Sequence, residues 1–357
     1  MLSTVSLIQG YDRFDNVIAA LNAIQKEICL DGVNRILVKP NLVTGDRQLA
    51  ATHVDAVRAV IEWVRRRTDA PVVVGEGAAM SSTWQAFDNY GYTKLPNEFA
   101  NVSLLDLNAD ETVEVWAYNR RLHPIRLQAS RTALETPFRI SVAPPKTHDT
   151  VLVTLGLKNM VMGSLVSHFA QRKNRPASGR RESTLLSAER LYNLLPHPIR
   201  TSLALVTLKE WATSLIPSSK TSMHHGLPVM HLNLFELAPQ FFPHLSILDG
   251  FEAMEGNGPS DGDPVHWRIA IAGTDWLSTD IITAKLMGFA LEEVGYLQYA
   301  AKAGYGVTDE NAIRIAGNVA PEEVSRRFTR HAIERAQLHW HSPRVHRHLA
   351  QTHAFTD

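Results

Sequence analysis

The sequence predicts an α/β protein: a mostly parallel wound sheet with helices on both faces, a basic mid-chain insertion and a helical C-terminal tail. Three observations predict it. Short apolar runs, as a strand buried on both faces needs, alternate with segments of helical spacing through the first third of the chain. Polar or charged residues stand where five apolar runs end, three in the first half of the chain and two in the second. From His168 to about Pro228 the texture turns polar and basic, and beyond it the alternation resumes.

Val5 to Ile8 is the first apolar run, and Phe14 to Cys29 has helical spacing. Ile36-Leu37-Val38 is a buried strand running into Lys39-Pro40-Asn41. Thr52 is the expected N-cap of a helix whose stripe is Val54, Val57, Val60, Ile61 and Val64. Val72-Val73-Val74 leads into Gly75-Glu76-Gly77. Trp84 to Tyr90 predicts a short helix, Val102 to Leu107 a strand, and the alternation in Thr112 to Tyr118 an antiparallel strand. Phe138 to Val142 completes the first half, residues 1–167.

Residues 168–228 are expected to form an insertion or lid. Arg172 to Arg181 combines charge with turn formers, so it buries little against the cost of ordering and is expected to be the least ordered part of the main body. Leu203 to Leu215 predicts an amphipathic helix before Pro217. The second α/β half, 229–320, carries a helix around His231 to Leu237 and a strand from Leu245 to Leu248 ending at Asp249. A strand from Trp267 to Ala272 ends near Asp275, and helices stop at Gly288 and Gly304. Ala312 to Ile315 is a last strand, and the tail 321–357 is expected to be helical to about His339 and then to fray.

Composition bounds the function. In 357 residues, 36 basic side chains balance 36 acidic ones, which gives no electrostatic footprint for nucleic acid. No stretch is apolar for the length of a membrane span, and no basic segment followed by an apolar run opens the chain, so a cytoplasmic protein is the expectation. The single cysteine, Cys29, rules out an internal disulfide and any iron–sulfur cluster held by this chain's thiolates alone. Its place in the helical pattern predicts a buried thiol.

The chemistry concentrates at Lys146-Thr147-His148, followed by Lys158-Asn159. Ligands of wound sheets bind outside the carboxyl ends of the strands, and Lys39, Asn41 and Glu76 end two neighbouring runs. Clustered lysines argue for an anionic ligand, since each ammonium favours carboxylate or phosphate. Lys146, Lys158 and His148 are the candidate catalytic residues. Lys39, Asn41, Glu76, Thr147 and Asn159 are candidate substrate ligands, with Gly256 and Gly258, whose backbone N–H groups could face an oxyanion. Asp249, Glu255 and Asp275 could hold a divalent ion through oxygen; Asp280 fits that role or a helix first turn. Gly75-Glu76-Gly77 lacks the third glycine of a dinucleotide fingerprint, so no NAD site is expected; a Walker lysine and a Gly-x-Ser-x-Gly elbow are also absent. The paired histidines of the tail read as surface residues rather than zinc ligands.

The order Val38-Lys39-Pro40-Asn41, Val74-Gly75-Glu76-Gly77, Lys146-Thr147-His148, Thr154 to Asn159, Gly258-Pro259 and Asp275 with Asp280 resembles the domain-of-unknown-function family 362 from about Ile36 to Gly317. Many members of that family carry a fused ferredoxin-type module; one cysteine excludes it here, and Pro144 replaces a lysine common in the family. The opening strand–helix–strand also resembles lactate racemase-type proteins in layout. Together the residues predict an enzyme that binds a small anion and moves a proton with lysine and histidine. The resemblance implies an alternative, a metal- or cofactor-handling accessory protein with a separate redox partner.

Overall fold

A computed structural model describes residues 2–167, 202–214, 218–353 and 355. The expected insertion lies largely outside the described residues, Arg172 to Arg181 included. The described strands are β1 (Ser3–Gln9), β2 (Ile36–Lys39), β3 (Val72–Glu76), β4 (Val102–Asp106), β5 (Thr112–Tyr118), β6 (Pro124–Ser130), β7 (Phe138–Ala143), β8 (Lys146–His148), β9 (Leu152–Thr154), β10 (Leu245–Glu255), β11 (Asp263–Gly273) and β12 (Ile313–Gly317).

One sheet takes in strands from both ends of the chain, in the order β12-β1-β11-β10-β7-β2-β3-β4, with β8 pairing β10 and β9. The neighbours are parallel except where β11 meets β1 and β10, and where β9 meets β8. β11 is antiparallel because β10 and β11 form a long hairpin, which returns the chain beside itself. β5 and β6 pair separately as an antiparallel ribbon.

Helices α1 (Arg13–Ala23), α2 (Val54–Arg65), α3 (Thr83–Asn89), α4 (Leu95–Glu98), α5 (Arg131–Glu135) and α6 (Gly156–Ser164) follow the strands of the first half. α1 and α2 bury Val17, Leu21, Val57 and Ile61 against Ile36, Val38, Ile140 and Ile247 on one face of the sheet. Each such side chain contributes about 1.5–3 kcal/mol by leaving water. On the other face α6 packs against β7 and β10, and the helices Leu227–Phe241 and Trp276–Leu286 pack on α6. The strand period sends alternate residues to opposite faces, so Leu37 and Lys39 point away from α1 and α2.

Local details differ from expectation in instructive ways. The N-cap of α2 is His53, whose Nδ1 accepts from Asp55 N. Thr52 instead braces the loop: its Oγ1 accepts from Asn41 N and donates to Val142 O. Cys29 is exposed, since α1 ends at Ala23 and Ile28 takes the buried position beside it. The tail carries a helix, Pro343–Thr352, seated by Val345 and Leu349. No helix among the described residues is long and apolar enough to cross a membrane.

Candidate functional site

β2 and β3 deliver Lys39 and Glu76 to the same edge of the sheet. Both are buried, and Lys39 Nζ lies 3.0 Å from Glu76 Oε2. The ammonium also donates to Asn159 Oδ1 at 2.8 Å and Pro40 O at 3.0 Å. The carboxylate is completed by Leu42 N on Oε2 and Gly77 N on Oε1. Every charge here is matched and hydrogen-bonded, the condition under which a buried ion pair is tolerated.

Lys146 is different. β8 carries it into the interior at 0% exposure, where Nζ donates to Asn41 Oδ1 at 2.5 Å and Ala50 O at 2.7 Å. Both acceptors are neutral. Burial pushes its pKa down to about 7, and repulsion from the nearby Lys158 adds to the effect. Asn41 links the two lysines, since its Nδ2 donates to the same Asn159 Oδ1 that receives Lys39.

α6 supplies Lys158 and Asn159, both buried. Asn159 Nδ2 donates to Lys39 O and Ser141 Oγ, which ties α6 to β2 and β7. Gly163 lets the helix come this close: a Cβ there would meet Lys39 Nζ at 2.0 Å and Glu76 Oε1 at 2.6 Å. His148 shares the face of Lys146 on β8. Its Nδ1 accepts from Thr150 N at 2.9 Å, and burial, reinforced by Lys158, holds its pKa well below the ordinary imidazole value. Asp149 Oδ1, 3.2 Å from the same Nδ1, opposes that shift.

Thr147 points to the opposite face, where Oγ1 donates to Gly256 O. The glycine turn packs on this residue so closely that a Cβ on Gly258 would lie 2.1 Å from Thr147 O. Gly256 N donates to Thr329 O and Gly258 N to Gly256 O, so these two N–H groups are already used inside the fold. Asn41 and Asn159 likewise spend their carbonyl oxygens on lysines.

The acidic residues of the second half do not join the lysines. Asp249 lies on the α1 side of the sheet, 3.1 Å from Arg13 Nε. Glu255 Oε2 accepts from Thr329 N. Asp275 lies at the other end of the sheet, because β11 runs opposite to its neighbours; its carboxylate caps the helix Trp276–Leu286 and accepts from Val307 N. Among the described residues no three of His, Cys, Asp or Glu come together as metal ligands, and these three do not fit a shared ion.

Two residues outside the sequence reading complete the surroundings. Lys220 is buried, donates to Met162 O at 2.7 Å near the end of α6, and is held down to about 7 by burial, with Glu76 opposing. It follows a segment whose charge reads as solvated, so nothing in its sequence context signals a buried amine. Ser141, an ordinary residue of a strand pattern, holds Asn159.

A mixed α/β protein with a mostly parallel central sheet, and with Lys39, Lys146 and Lys158 buried, is the class this geometry defines. Residues 36–285 match the family model described as a domain of unknown function, DUF362, and the chain belongs to that family. A thylakoid-associated protein of Synechocystis sp. is 24% identical over 257 residues, which are 71% of this chain and 63% of that protein. The chain thus spans just under two thirds of that relative's length. The lactate racemase apoprotein from Thermoanaerobacterium thermosaccharolyticum is similar over 85% of this chain and 57% of its own, at 12% identity and a TM-score of 0.42.

Proposed function

We propose that the protein is an enzyme for a small anionic substrate, a carboxylate first and a phosphate second, and that Lys146 is its proton carrier. The observation that carries this reading is the company Lys146 keeps. Its ammonium is wholly buried and, among the described residues, bonded only to neutral oxygens, with the positive charges of Lys158 and Lys39 around it and Glu76 opposing them. An anion entering there would add negative charge to that of Glu76 and favour the ionised amine. Lys158, buried on α6 with its charge acting on both Lys146 and His148, is the residue assigned to a substrate carboxylate. The ionised Lys146 amine can then give a proton to the carbon beside that carboxylate, and take it back in the reverse direction, from a free-state pKa matched to neutral pH. His148, neutral and aligned by Thr150 N, offers a second, weaker base on the same face.

The test is a panel of small carboxylates and phosphate, read by thermal melts of the wild type and Lys146→Met, with native mass spectrometry for a retained molecule. Stabilisation of the wild type that the variant loses supports the reading; equal responses contradict it. A stoichiometric metal with no anion effect would favour the accessory alternative.

A further inference from the structure

Asp280 is buried at 0% exposure in the helix Trp276–Leu286, and it binds nothing in its own helix. Its two carboxylate oxygens accept from Gly156 N at 2.9 Å and Leu157 N at 3.0 Å, the first two N–H groups of α6. The N-cap of α6, Leu155, has no side chain able to do this. A residue distant in sequence therefore caps the helix. The fit is close: a Cβ on Gly156 would lie 3.0 Å from Asp280 Oδ1 and 2.7 Å from Ser246 Oγ. Lys158 and Asn159 come directly after the capped residues.

We propose that Asp280 is a positioning residue for Lys146, acting through the start of α6, Asn159 and Asn41. Each link is on the page: Asp280 to the α6 N–H groups, Asn41 Nδ2 to Asn159 Oδ1, and Lys146 Nζ to Asn41 Oδ1. The charges acting directly on Lys146 are Lys158, Glu76 and Lys39; Asp280 is not among them, and its own neighbours are Asp275 and the Tyr296 phenol. The hydrogen-bonded route from Asp280 to Lys146 runs through α6. The purpose of this positioning rests on the anion-site reading, but its existence does not.

The experiment follows the Lys146 side chain by NMR in 15N-lysine-labelled, anion-free protein across a pH titration. Asp280→Asn keeps the shape and puts an NH2 against a helix N–H, so α6 loosens at its start. Water then reaches the Lys146 amine, and its midpoint rises by about one pH unit or more. Asn159→Ala produces the same rise from the middle of the relay. A lowered melting temperature in Asp280→Asn with the Lys146 midpoint unmoved overturns the proposal and leaves Asp280 a plain structural cap. If Asp280→Asn does not fold, Asp280→Glu is judged by the same criterion. A parallel titration of the wild type with inorganic phosphate and acetate separates the two claims: failure to bind either sinks the anion reading, while the midpoint comparison still decides the positioning.

Discussion

Lys39 and Glu76 form a fully buried ion pair at 3.0 Å, bridged to Lys146 by Asn159 and Asn41. Removing one partner strands the other in a medium that solvates it poorly. Glu76→Gln and Lys39→Met should each lower unfolding stability by about 3–5 kcal/mol, with the double variant losing less than the sum. Urea unfolding of all four proteins gives the coupling; additive losses would mean that the pair is not interacting.

Stability should depend on pH through Lys146. Its folded pKa, about 7, is below the unfolded value near 10.5. Between those values the unfolded chain binds the extra proton, so the contribution of this group to stability rises with pH, by a few kcal/mol across the window. Lys220 adds in the same direction, and Asp280, raised to about 7 by burial, subtracts as pH climbs from the ordinary carboxylate range to neutrality. Lys146→Met should flatten the alkaline limb relative to the wild type. An unchanged slope would mean that Lys146 ionises normally.

Gly163→Ala is expected to be severe. The added methyl would fall 2.0 Å from Lys39 Nζ and 2.6 Å from Glu76 Oε1, so the clash could be relieved only by breaking the buried ion pair or moving α6. A loss of about 3 kcal/mol or more, or failure to fold, is expected, as for overpacking beside a buried charge. A melt within a degree or two of wild type would show α6 free to slide.

The stretch Leu42 to Ala51 roofs Lys146 through Ala50 O, closed at its base by the Leu42–Ala51 bridge. On one side it is tethered by Tyr90 and Asn89 to Thr44 O and Gly45 O, and on the other by Arg47, 3.2 Å from Asp261 and bonded to Gly262 O. The pair is 39% and 79% exposed, so it is worth no more than about 1 kcal/mol. Arg47→Ala should therefore leave global stability nearly unchanged while speeding amide exchange in residues 42–51. Unaltered exchange there would place the entry route elsewhere.

The parts of the site legible in sequence were those set by strand ends. Lys39, Glu76 and Lys146 leave recognisable apolar runs, and parallel pairing brings such ends to one edge. Asp275 also ends an apolar run, yet it lies at the far end because β11 is antiparallel, and direction is not written in a run of Ile and Ala. Asp249 sits at the right end but on the other face, a consequence of register within β10. Lys220 and the capping role of Asp280 depend on contacts between distant segments, to which local pattern is blind. Cys29 was misread for a simpler reason, an early helix stop at Ala23.

The most direct test of the central claim is proton uptake on anion binding, measured by titration calorimetry above neutral pH in buffers of different ionisation heat. Free Lys146, with its pKa near 7, is largely neutral there. A bound carboxylate or phosphate should return its charge, so the wild type should take up close to one proton per anion, and Lys146→Met should take up none. Binding without proton uptake, or equal uptake by the variant, would contradict the assignment of Lys146 as the proton carrier of an anion site.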